Sequence, residues 1–115
     1  MKIEEFKKER ERLNKVIMEH ADTVTKRFFA LDTQTYQAGA LSAKQKELMG
    51  LAASVVLRCD DCILYHLIRA KEENCSDAEI TETADIALIV GGSITIPHLR
   101  RMFDKWNEMK NMEEK

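Results

Sequence analysis

A chain of 115 residues with a single proline, Pro97, and only four glycines has few points at which a helix must stop. Ala, Leu, Met, Glu and Lys dominate the remainder, and all of them favour helix. The chain is long enough for one domain and too short for two. The expectation is therefore an all-α domain spanning residues 1–115.

Charge narrows the function classes. A third of the residues are charged (33%), yet the formal net charge is only -2, and Lys and Arg are mixed with Asp and Glu throughout. No basic face accumulates, so the chain lacks the electrostatic footprint of a nucleic-acid binder. The opening Met1-Lys2-Ile3-Glu4-Glu5 is charged rather than apolar, unlike a signal peptide. No stretch approaches the roughly 18 uncharged apolar residues of a membrane span. These features lead us to expect a cytoplasmic protein, in which three cysteines are reduced, catalytic or metal-binding rather than a disulfide framework.

Hydrophobic spacing predicts six helices. Ile3, Phe6, Leu13, Val16, Ile17 and Ala21 form the stripe of the first. A break at His20-Ala21-Asp22 separates it from a second, with Val24, Phe28, Phe29 and Leu31, which runs toward Tyr36 and ends by Gly39. Ser42 and Gln45 read as a capping box opening a third helix. That helix is apolar nearly all round through Val56 and Leu57, which predicts burial on several sides. The fourth starts within Cys59-Asp60-Asp61-Cys62, with Asp60 and Asp61 as its expected caps, and stops at Asn74 in a left-handed conformation. Ser76 and Glu79 form a second capping box for the fifth, which Gly91-Gly92 ends. The sixth holds Pro97 in its first turn and carries Met102, Phe103 and Trp106 as core or interface side chains. The charged tail Asn111–Lys115 is expected to fray.

Chemistry concentrates around Cys59, Cys62 and His66. Steps of three and four residues keep side chains on one helix face, so all three converge if helix begins by Cys59. Two thiols at this spacing can form a disulfide within one turn, and a helix N-terminus stabilises a thiolate. Asp60 and Asp61 act against that, since nearby negative charge raises a thiol pKa; Arg58 acts with it. His66 titrates near neutrality and suits acid–base work. Glu47 lies in an apolar stretch, where a carboxylate needs a partner.

Glu47, eleven residues, then Cys59-Asp60-Asp61-Cys62-Ile63-Leu64-Tyr65-His66 resembles the signature of the carboxymuconolactone decarboxylase-like superfamily. Within it, the alkylhydroperoxidase D (AhpD-like) branch carries E-x11-C-x2-C-x3-H. The similarity covers about Ala21 to Met109, with its motif core at 41–109, and includes Lys46-Glu47-Leu48, Ser76-Asp77-Ala78-Glu79-Ile80 and Ala87-Leu88-Ile89-Val90-Gly91-Gly92. The resemblance implies an AhpD-like helical fold assembled as a homo-oligomer, trimer or hexamer. It also implies a peroxiredoxin-like antioxidant activity toward hydroperoxides without a cofactor, sustained by a thioredoxin-like or lipoyl dithiol reductant. Carried over, Cys62 is the peroxidatic thiol, Cys59 the resolving one, and Glu47 and His66 relay protons. Asp61 departs from the pattern, because the best-known peroxidases carry histidine immediately before the second cysteine.

Three other readings remain. The name-giving lactone decarboxylases generally lack the cysteine pair, which argues against that activity here. A zinc module would use Cys59, Cys62 and His66, with Cys75 or His98 completing a tetrahedron, but no second ligand couple exists. A non-catalytic oligomeric binding protein would use the fold alone. Cys75 is expected to be a bystander, His20 and His98 to be structural, and Tyr65 to line the site or an interface.

Overall fold

The structure, a computed structural model, describes residues 1–113. Among the described residues there are six α-helices, one 3-10 turn and no strand: α1 (Ile3–His20), α2 (Thr23–Thr35), α3 (Ala43–Val56), α4 (Asp60–Glu72), α5 (Asp77–Gly91), the turn Ser93–Thr95, and α6 (Ile96–Glu113). The all-α expectation and its helix count hold. By internal contacts the chain divides into two units, Met1–Gln37 and Ala38–Lys115.

In the first unit the break falls where the stripe is interrupted. Asp22 caps α2, its Oδ1 accepting the Thr25 amide and hydroxyl at 3.0 Å each. Ile3 and Phe6 are buried, whereas Leu13, Val16, Ile17, Val24, Phe28 and Leu31 are exposed.

In the second unit α3 packs against α4 and α5, and α4 packs against α6. Each helix contributes buried positions at helical spacing: Leu51 and Val55; Ile63, Leu67 and Ala70; Ile80, Ala84 and Ala87; Leu99, Met102, Trp106 and Met109. Each fully buried aliphatic side chain contributes about 1.5–3 kcal/mol, so truncating Leu67 to Ala is expected to cost about 2–5 kcal/mol. Both predicted capping boxes form. Gln45 N donates to Ser42 Oγ at 3.0 Å while Ser42 N donates to Gln45 Oε1 at 2.8 Å. Ser76 and Glu79 repeat this at 3.2 and 2.8 Å. Lys44 Nζ, in the first turn of α3, reaches Glu79 Oε1 at 2.9 Å and so ties the two boxes together.

Helix ends follow the same logic. Asn74 ends α4 with φ 61°, and Gly92 follows α5 with φ 81°. Gly91 is constrained differently, since a Cβ there would stand 2.5 Å from Thr95 Cγ2.

Three expectations need correction. α3 is not covered all round: Leu51 and Val55 are buried, but Met49 and Leu57 are 57% and 76% exposed, because within this chain α4 and α5 do not reach that side. The first turn of α4 is capped by Cys59 rather than by either aspartate. The tail is helical through Asn111–Glu113, and Glu114 and Lys115 lie outside the described residues.

Candidate active site: a thiol pair and two acid–histidine–arginine clusters

Cys59 belongs to two helices at once. At the end of α3 the Arg58 amide donates to Val55 O at 2.9 Å and the Cys59 amide to Ser54 O at 3.1 Å. This is the Schellman arrangement, with Arg58 at φ 58° in the left-handed position that glycine usually holds. Cys59 then turns extended (φ -102°, ψ 96°) and opens α4, its Sγ accepting the Cys62 amide at 3.3 Å. Sulfur thus occupies the place where Ser, Thr, Asp or Asn usually caps a helix.

A thiol hydrogen bond joins the two Sγ atoms at 2.6 Å. Cys59 is half-buried and Cys62 exposed. The Cys62 thiol is pushed up to about 11, first by its hydrogen bond to Cys59, then by burial, then by the charges of Cys59 and Asp61; its own amide opposes the shift. Cys62 therefore keeps its proton while Cys59 lies beside it.

α3 and α4 bring Glu47 and His66 together. Glu47 is only 2% exposed, and its Oε2 meets His66 Nδ1 at 2.9 Å. A carboxylate oxygen accepts, so in this contact His66 Nδ1 donates. Arg69, three residues beyond His66, brings Nε to 3.6 Å from Glu47 Oε1 and also pairs with Glu72 and Glu73. The Tyr65 ring meets His66 edge-on, centroids 5.1 Å apart. The buried carboxylate thus has the partner its apolar surroundings demand.

A second cluster of the same composition is built on Asp60, which lies between the two cysteines in sequence. Asp60 Oδ1 meets His98 Nδ1 at 2.7 Å, and Asp60 Oδ2 accepts from Arg101 Nε at 3.0 Å. Burial pushes the Asp60 carboxyl up, but His98 and Arg101 more than reverse this and hold it below its ordinary value.

The carboxymuconolactone decarboxylase family model matches residues 22–105. The chain belongs to that family. TM1620 of Thermotoga maritima is 54% identical, with 96% of each chain covered and a TM-score of 0.93. A second structure of TM1620, described as a family member with a possible antioxidative role, superposes with a TM-score of 0.91, covering 96% of this chain and 93% of that one at the same 54% identity. The family protein lpg0406 of Legionella pneumophila, at 22% identity, has the same fold, with a TM-score of 0.84 over 92% of this chain and 95% of its own. An uncharacterized Cupriavidus necator protein is 36% identical over 56 residues, which are 49% of this chain and 50% of that protein. The aligned segment thus spans half the length of that curated relative.

The Glu47, Cys59, Cys62 and His66 of this family member fall into two contacting pairs, one acid–base and one thiol. Arg69 was missed by sequence reasoning, although its spacing from His66 puts both on one helical face. His98, expected to be merely structural, bonds Asp60 beside the thiols. Cys75 is buried, and burial pushes its thiol up, which makes it a poor nucleophile. Among the described residues no three His, Cys, Asp or Glu side chains are gathered as metal ligands, so the zinc set is not assembled. No described helix is long and apolar enough to cross a membrane.

Proposed function

We propose that this protein is a thiol peroxidase that reduces hydroperoxides through Cys59 and Cys62, with Glu47 and His66 managing protons. The observation that carries the reading is the 2.6 Å contact between two sulfurs at a helix N-terminus, with a buried carboxylate–imidazole pair on the following turn. The antioxidative role suggested for its Thermotoga relative agrees with it.

Cys62, the exposed sulfur, gives up its proton to the His66–Glu47 pair and attacks the outer oxygen of the hydroperoxide. The O–O bond breaks, Cys62 becomes a sulfenic acid and an alkoxide departs. The His66–Glu47 pair delivers the proton that converts the alkoxide to an alcohol. Cys59 then loses its proton and attacks Cys62 Sγ, forming the disulfide and releasing water. The balance is two thiols and one hydroperoxide in, and one disulfide, one alcohol and one water out. An external dithiol, thioredoxin-like or lipoyl, reverses the disulfide by exchange.

The assembly that fits this reading is a homo-oligomer, trimer or hexamer. Leu57, Ile86, Ile89, Val90 and Ile94 in one unit, and Val24, Phe28 and Leu31 in the other, are large apolar side chains left exposed, which subunit contacts would cover.

Reduced protein mixed with a hydroperoxide, with free thiols counted before and after, tests the chemistry. Loss of two thiols per peroxide in the wild type, and none of that turnover in Cys62→Ser, is the expected result. Unchanged thiols in the wild type would remove the peroxidase reading.

A further inference from the structure

We propose that His98 and Arg101 act as positioning residues for the thiol pair, holding and neutralising Asp60 so that the carboxylate between the two cysteines does not suppress their ionisation. The inference takes the Cys59–Cys62 pair as the reactive group and rests on the proposed function in that respect alone.

The geometry is specific. Asp60 is the first residue of α4, directly after Cys59. An unpaired carboxylate at this place would oppose the helix N-terminus, which favours a thiolate. Two side chains from α6 close on it, one per oxygen: His98 at 2.7 Å and Arg101 Nε at 3.0 Å, with a second guanidinium nitrogen also 3.0 Å from Oδ2. They come from 38 and 41 residues away in sequence, so the contact is a product of the fold and not of local helix geometry.

Stability does not account for the cluster. Asp60 and Arg101 are 47% and 56% exposed, and ion pairs that open contribute little to folding. What the cluster does change is the charge seen by the sulfurs. Asp61, next to Cys62, is among the groups that push the Cys62 thiol up, and Asp60 stands in the same relation to Cys59. The other charged groups near the pair are Arg58, preceding Cys59, and the Glu47–His66–Arg69 cluster, whose members already neutralise one another. Arg101 is thus the cation through which the fold cancels Asp60, with His98 bonded to the other carboxylate oxygen. A single uncancelled charge at this range moves a thiol by about half a pH unit to one unit.

The test exploits sign. Alkylation of Cys59 and Cys62 by iodoacetamide, followed peptide by peptide in the mass spectrometer across pH, gives the midpoint at which the pair first ionises. Arg101→Gln leaves the Asp60 charge uncancelled and is expected to raise the midpoint by about half to one unit. Asp60→Asn leaves Arg101 uncancelled and is expected to lower it by a similar amount. Arg101→Lys keeps the charge and is expected to stay close to wild type. At neutral pH a midpoint one unit higher slows alkylation about threefold, because tenfold less thiolate is partly offset by its greater nucleophilicity. Midpoints that do not move, or that move in the same direction in both variants, would overturn the inference, since a merely structural contact loosens alike when either partner is removed. The outcome is independent of peroxide turnover. Opposite shifts without peroxide-dependent thiol loss would retain the positioning role and reject the peroxidase, and the converse would do the reverse.

Discussion

Two clusters built from the same three residue types adjoin the thiol segment, one through Asp60 within it and one through His66 a turn after Cys62. In each, a carboxylate accepts from a histidine Nδ1, and an arginine three residues further along the same helix closes on the other oxygen: Glu47 with His66 and Arg69, and Asp60 with His98 and Arg101. Burial separates them. The Glu47 side chain is 2% exposed and that of Asp60 47%. In the dry cluster a missing partner leaves a charge or donor without water, whereas in the wet one solvent takes its place. The same hydrogen-bonding pattern therefore carries structural weight at one end of the site and serves as an electrostatic adjustment at the other.

The comparison breaks most directly on removal of the acids. Glu47→Ala strands His66 and Arg69 beside an apolar cavity and is expected to lower stability by about 3 kcal/mol, the lower end for a broken buried pair because Arg69 retains Glu72 and Glu73. Asp60→Ala is expected to cost less than about 1 kcal/mol. Urea unfolding of both variants measures the contrast, and equal losses would show that exposure does not separate the clusters.

Acidity sharpens it. The Asp60 carboxyl is held below its ordinary 3.8, so its contribution is present above that pH and disappears as pH falls through the lower folded value. The small stability gap between wild type and Asp60→Ala should close below about pH 3.8, and a gap that persists would deny the ion pairing. At the opposite extreme, Cys62 is held up to about 11 against an ordinary 9.0. The unfolded chain loses this proton first, so the reduced protein should lose stability as pH rises from 9.0 toward about 11. The loss is modest for an exposed group, and Cys62→Ser should flatten it in thermal melts.

The smallest effect concerns the backbone. Arg58→Gly removes a side chain from a left-handed position and is expected to change stability by no more than about 1 kcal/mol, in the stabilising direction. A marked loss would mean that the Arg58 side chain holds the turn by contacts of its own.

Where local chemistry determines structure, the sequence was legible. Ser42 with Gln45 and Ser76 with Glu79 mark two helix starts because each box is completed within four residues, and Asn74 and Gly92 mark stops through their own backbone preference. Glu47 was singled out because a carboxylate among apolar residues needs a partner, and it has one. The cap of α4 was misread, since two aspartates are better caps by type than a cysteine, yet both stand one or two residues too late. The Asp60 cluster was invisible for a different reason: its members lie about forty residues apart and meet only because α6 returns across α4. The exposed side of α3 was overestimated as core because periodicity counts apolar residues and does not reveal which side a neighbour covers.

Cys59 completes the C-terminal turn of α3 with its amide and the N-terminal turn of α4 with its sulfur. Its main chain is consequently pinned from both directions, and the sulfur alone is left to answer a change of oxidation state. A disulfide to Cys62 makes that sulfur a poorer acceptor for the amide it caps, so every oxidation weakens the first turn of α4 and every reduction restores it. Amide exchange at Cys62 and Ile63 would then report the redox state of the pair, with the ends of the two helices acting as an internal gauge of the chemistry between them.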